Sequence, residues 1–145
     1  MKKYSLLLLA TAFTLASFAQ KAVITFETKT YEFGKIAEED GNATYVFKFS
    51  NTGNAPLVVN RVQASCGCTT PTWTKEPIEP GKSGSVTVTY NPVGRPGMFT
   101  KTITVYSNAS EEQVVLIIKG EVIPKSQTGS SAYPVIMGDL RLKSK

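Results

Sequence analysis

Histidine is absent from this 145-residue sequence, which holds only two cysteines and one tryptophan. Without imidazole the commonest general base at neutral pH is missing, and with it the Ser-His and Cys-His nucleophile pairs. No phosphate-binding loop, triad or paired acid–base set takes its place. Two cysteines parted by one glycine cannot build the Cys…Trp…Cys framework of antibody domains, so any sandwich must be held by its apolar faces. Beyond the N-terminus there is no long apolar run, and no stretch of helical length keeps a 3.6-residue period. Lysines and arginines outnumber acidic residues 16 to 11 but are scattered without a basic stripe, so nucleic acid is not an expected partner. The sequence therefore reads as a non-enzyme that needs no cofactor.

What is present begins with a leader. Lys2 and Lys3 precede an apolar run from Leu6 to about Ala16. Ser17-Phe18-Ala19 then sets small residues at −3 and −1 of a cleavage point before Gln20. The run is shorter than the roughly 20 apolar residues of a membrane span, and Thr11 and Thr14 interrupt it. Residues 1–19 are thus expected to be a signal peptide. The mature chain is expected in the periplasm or outside the cell, with no transmembrane anchor after cleavage. What remains is one domain's worth of chain, long enough to bury a core without a disulfide framework.

The mature chain has the periodicity of an all-β protein. Tyr45, Phe47 and Phe49 alternate with Val46, Lys48 and Ser50, between the turn signals Gly41-Asn42 and Asn51-Thr52-Gly53-Asn54. Val86, Val88 and Tyr90 repeat the pattern, as do Phe99, Ile103 and Val105 against Thr100, Thr102 and Thr104. Ile24 and Phe26, then Tyr31 and Phe33, read as one first strand split by a kink. Leu57 to Val62 reads as a further strand. The run Val114 to Ile118 suits a strand that is central or covered on both faces. Pro80-Gly81 and Arg95-Pro96-Gly97 provide turns. About seven short strands punctuated in this way predict an immunoglobulin-like antiparallel β-sandwich over residues 20–123.

From Pro124 onward the composition changes. Lys125 to Ala132 reads as a polar linker, followed by an apolar tail, Tyr133-Pro134-Val135-Ile136-Met137 and Leu140-Arg141-Leu142. Leu140-Arg141-Leu142-Lys143-Ser144-Lys145 matches Ile24-Thr25-Phe26-Glu27-Thr28-Lys29 in alternation and closing lysine, as the first strand of a second, missing repeat would. Such a strand, with Leu140 and Leu142 on one face, is able to join a sheet edge of its own domain or of a partner. Folding back onto the domain is the simpler alternative.

One segment has chemical promise, Cys66-Gly67-Cys68. Residues two apart in a flat strand are about 6.6 Å from each other, close to the upper limit for a disulfide, so Gly67 must bend to allow one. Four readings stay open: a reducible disulfide, a metal site, a reactive thiol and a structural staple. For a metal, Cu(I) suits Cys66 and Cys68 with Met98 or Met137 better than zinc does. The thiol lacks a base. Thr69, Thr70 and Trp73 follow closely and are candidate contact residues, Trp73 either packed under the turn or exposed as an anchor. Glu38-Glu39-Asp40 reads as a solvated loop and Glu111-Glu112 as a hairpin tip. The sequons at Asn42 and Asn108 fall where turns are expected.

These residues in combination resemble a known family. Ser65-Cys66-Gly67-Cys68-Thr69-Thr70-Pro71, Ile78-Glu79-Pro80-Gly81-Lys82-Ser83-Gly84 and Pro96-Gly97-Met98-Phe99-Thr100-Lys101-Thr102-Ile103-Thr104-Val105 are similar to the bacterial domain of unknown function 1573. Phe33-Gly34-Lys35-Ile36 and Asn51-Thr52-Gly53 fit as well. The resemblance implies an immunoglobulin-like, Hydin-type sandwich, a Bacteroidetes-type source and residence in the envelope. It implies no established activity. The resulting expectation is a structural or interaction module whose partner is another envelope protein, with thiol redox or Cu(I) handling as the alternative.

Overall fold

The computed structural model describes residues 19–125. The leader up to residue 18 and the segment from residue 126, with Met137, Leu140 and Leu142, lie outside the described residues. Eight strands form: β1 (Ile24–Phe26), β2 (Thr30–Ala37), β3 (Ala43–Asn51), β4 (Val59–Ala64), β5 (Thr69–Trp73), β6 (Ser83–Tyr90), β7 (Gly97–Ser107) and β8 (Gln113–Ile123). They make two four-stranded sheets, in the orders β1-β3-β6-β5 and β2-β8-β7-β4. The alternating side chains decide which face of each sheet turns inward. Phe47, Phe49, Val86, Val88 and Tyr90 of the first sheet meet Ile103, Val105, Leu116, Ile118 and Val122 of the second, all essentially removed from water. Each such side chain contributes about 1.5–3 kcal/mol of burial. Tyr90 of β6 stacks on Phe99 of β7, centroids 4.1 Å apart, and so joins the sheets at mid-core.

The sandwich departs from the sequence reading at both of its early strands and at Thr69–Trp73. Ile24–Phe26 and Thr30–Ala37 are not one kinked strand but two strands in different sheets. Both halves turn apolar residues toward the same core, so periodicity cannot tell one sheet from the other. β2 then pairs with β8 in parallel, the exception to an otherwise antiparallel arrangement. Thr69–Trp73, read as loop, is an edge strand paired with β6; Pro71 and three threonines conceal it. β8 is central, as expected of its apolar run, yet Val115 is 47 % exposed, so only one of its faces is covered. Glu38–Asp40, read as a solvated loop, is a single 3-10 turn with no buried residue.

Asn51 is the main polar element of the interior. It is fully buried. Its Nδ2 donates to Ala55 O at 2.7 Å and Ile78 O at 2.8 Å, while its Oδ1 accepts from Gly53 N at 3.0 Å and Val23 N at 3.4 Å. All four capacities of the amide are used, which is what makes its burial affordable. A Cβ on Gly53 would sit 2.6 Å from Val23 N, so only glycine fits beside this junction.

Candidate functional site

Chain crossings between the sheets occur on both flanks of the sandwich, and they differ. On one flank β4 of the second sheet leads through residues 65–68 into β5 of the first. Cys66 and Cys68 are joined there by a disulfide, their Cα atoms 5.3 Å apart. The Thr69 hydroxyl lies 3.6 Å from Cys66 Sγ and 3.8 Å from Cys68 Sγ. Cys68 and Thr69 are buried and Cys66 half-buried. Trp73 is half-buried, and its indole N–H donates to Val59 O of β4 at 3.2 Å, tying the two edge strands together. Of the expected contact residues on this flank, only Thr70 is freely exposed. Both sulfurs are bonded to each other, so neither is a thiolate ligand in this state. Met98 stands 83 % exposed in a groove with Glu32, Lys35 and Glu121, a groove that neither cysteine lines. Among the described residues no group of three or more Cys, Asp or Glu side chains is placed to hold a metal.

The backbone of this flank is capped in part. Thr74 N donates to Ser85 O and Asn91 N to Cys68 O, so even-numbered residues of β5 face β6 and odd-numbered ones face outward. Of the outward groups, Thr69 N donates to Cys66 O at 3.3 Å, and Pro71 has no N–H. On β4, Val59 O is taken by Trp73, and Leu57 exchanges both backbone hydrogen bonds with Ile78. Proline and local caps on edge strands are the usual protection against unwanted strand addition. Burial raises the Tyr90 phenol, opposite Thr69, above its ordinary 10.0, against a smaller opposing pull from Arg95.

The other flank is different. β1 covers β3 only from Phe49 to Asn51, and Glu27 N to Lys48 O is its last backbone bond before the chain crosses to become β2. β3 continues to Ala43. Asn51 N bonds Lys82 O, so the odd-numbered residues of β3 face β6. The N–H and C=O groups of Thr44 and Val46 therefore point to the side where, among the described residues, no strand lies. Val46 is 41 % exposed. Beneath this edge, Tyr31 of β2 stacks on Tyr45 of β3 at 3.6 Å between centroids, with Phe33 and Phe47 edge-on at 5.0 and 4.8 Å. β2 is capped at its start, where the Thr28 hydroxyl donates to Thr30 O and accepts from Thr30 N. A bulge at Gly34, with φ of 68°, breaks its register between Glu32 and Lys35.

At the head of the open edge is a groove lined by Glu38, Glu39, Gly41, Val93 and Lys125. Glu38 Oε1 accepts from Gly94 N at 2.7 Å, which fixes the 3-10 turn against the β6–β7 connection. Sequence reasoning assigned no binding role to Thr44 or Val46, although the Tyr45-Phe47-Phe49 alternation located their strand. The only available signal was the short distance from Phe26 to Thr30, which limits how much of β3 the first strand can cover.

Comparisons with known proteins bear on the family and the fold. A family model described as "Protein of unknown function (DUF1573)" matches residues 24–122. No curated protein matches the chain significantly. Among solved structures, a protein of unknown function from Porphyromonas gingivalis W83 is similar with a TM-score of 0.62 at 17% identity, over 76% of this chain and 51% of that one. The chain thus spans about half the length of that relative. The ASH / PapD-like domain 7 of human CEP192 gives a TM-score of 0.57 at 12% identity, over 72% and 87% of the two chains. The secreted serine protease VesC of Vibrio cholerae gives 0.53 at 14% identity, over 69% and 23%. At such identities the likeness is one of fold, an immunoglobulin-like β-sandwich.

Proposed function

The chain belongs to the DUF1573 family of proteins of unknown function, and from that premise we propose that it is a non-enzymatic protein-interaction module of the bacterial envelope. It binds another envelope protein by accepting an extended segment beside β3. The observation that carries this reading is the open Thr44–Val46 edge, which no described strand covers and beneath which the Tyr31–Tyr45 stack lies half-buried. Main-chain groups of Thr44 and Val46 give the affinity, at about 0.5–1.5 kcal/mol net for each hydrogen bond formed. The Tyr31–Tyr45 stack gives selectivity, by receiving the inward side chains of the added strand. Export by the Lys2-to-Ala19 leader brings the module to the compartment where this partner resides.

The test is site-specific photo-crosslinking in the native envelope. A crosslinker at Val46 is expected to trap one defined protein, and the same group at Thr72 on the capped β5 edge is not. Val46→Pro removes an outward N–H without touching the β6 ladder, and is expected to abolish capture by a crosslinker placed at Thr44. Equal trapping from Thr72, or capture unaffected by the proline, would remove the edge from consideration.

A further inference from the structure

The chain leaves the domain at the head of its own open edge. β8 ends at Ile123, paired with Ala37, and β2 runs from Ala37 directly into the Glu38–Asp40 turn that precedes β3. Lys125 lines the same groove as Gly41, just before β3 begins. Residues 126–145 follow. Their apolar segments are Tyr133–Met137, which Pro134 disqualifies as a regular pairing strand, and Leu140-Arg141-Leu142-Lys143, which alternates without proline or glycine.

We propose that Leu140–Lys143 of the same chain occupies the open edge, as an added strand beside Thr44–Val46 that a partner segment must displace. This rests on reading Thr44–Val46 as a strand-accepting edge. Alternation sends Leu140 and Leu142 to one face, over the half-buried Tyr31–Tyr45 stack. Arg141 and Lys143 then face outward, on a flank whose head carries Glu39 and Asp40, both exposed. The reach is sufficient. A random coil of the length of residues 126–139 would have an end-to-end distance of about 20 Å, and the edge from Gly41 to Val46 is about 17 Å long. Tethering places the segment at an effective concentration on the order of millimolar, which a second copy at ordinary protein concentrations cannot match. The occupant is therefore the chain's own tail.

Hydrogen exchange on the full mature chain tests this, with Arg141→Pro and the double variant Leu140→Asp/Leu142→Asp as the broken tails. All substitutions lie outside the described fold, and the Phe47 amide, which faces β6, serves as the internal control. The Thr44 and Val46 amides of the wild type are expected to exchange about tenfold or more slowly than in either variant. That protection should be the same at low and high protein concentration, in a monomer. Equal exchange in wild type and variants overturns the proposal. Protection that grows with concentration alongside a dimer overturns it too, because a second copy then holds the edge. Photo-crosslinking from Val46 separates the two readings. Partner capture without tail protection leaves the interaction module standing and removes the tail. Tail protection without any capture from wild type or variants leaves the occupied edge standing and removes the external partner.

Discussion

The two flanks of this sandwich solve the same problem, carrying the chain from one sheet to the other, with opposite results. On the β4–β5 flank the crossing comes at the ends of two edge strands, and a disulfide, a buried threonine hydroxyl and the Trp73 indole close it. On the β1–β2 flank the crossing comes early. β1 leaves opposite Phe49, while its neighbour β3 runs on to Ala43. The difference shows that an open edge needs no unusual residue. It follows from where, along a neighbouring strand, the chain changes sheets.

Substitutions can sharpen or break this contrast. Asn51 holds Val23 at the root of the open flank to Ala55 and Ile78 beyond it. Asn51→Leu strands those partners in the interior and should cost about 4 kcal/mol, read by urea unfolding; a cost below about 1 kcal/mol would mean that the junction is not a shared anchor. Next in size is the closed flank. Trp73→Ala should lose about 3 kcal/mol, and Trp73→Phe, which keeps most of the ring packing, about 1 kcal/mol for the lost Val59 bond. If the phenylalanine variant matches wild type, the indole N–H is not a tie. Replacing both Cys66 and Cys68 by serine should cost about 1.5 kcal/mol, the modest chain-entropy effect of so short a loop. A larger loss would make the staple the main brace of that flank.

The open flank should behave in the reverse manner. Val46→Lys is expected to change stability by no more than about 0.5 kcal/mol, yet to weaken strand addition at the edge, scored by crosslinking from Thr44. A stability loss comparable to that of Trp73→Ala would show that the two flanks are not functionally distinct. The smallest effect concerns pH. Tyr90 has a folded-state pKa raised by burial above 10.0. The unfolded chain therefore loses the phenolic proton first, and stability present below pH 10 declines as pH rises through and beyond that range. Tyr90→Phe should flatten this decline in unfolding curves taken at increasing alkaline pH.

Much of the fold was legible because burial in a sandwich imposes a period of two. Tyr45-Phe47-Phe49, Val86-Val88-Tyr90 and Phe99-Ile103-Val105 show their inward faces directly. The cysteine pair was legible as a candidate for the same local reason, its spacing. Other features were hidden because they depend on residues far away in the chain. Asn51-Thr52-Gly53 reads as a turn, and only the approach of Ile78, 27 residues on, turns Asn51 into a buried anchor. Trp73 is ambiguous between anchor and packing until Val59, 14 residues earlier, supplies its acceptor. β5 escaped because Pro71 argues against a central strand and says nothing against an edge.

By itself, the sequence determined the all-β class, the apolar faces, the turns and the absence of an imidazole-based site. Each of these follows from the identity of a residue and its near neighbours. Tertiary structure alone decided which sheet each strand joins, that β2 pairs parallel to β8, that Cys66 and Cys68 lie on a flank tied by Trp73, and that Thr44 and Val46 lie on an open one. Backbone N–H and C=O groups are the same in every residue. Whether they are satisfied is a property of which strands meet, and no local pattern of side chains encodes that.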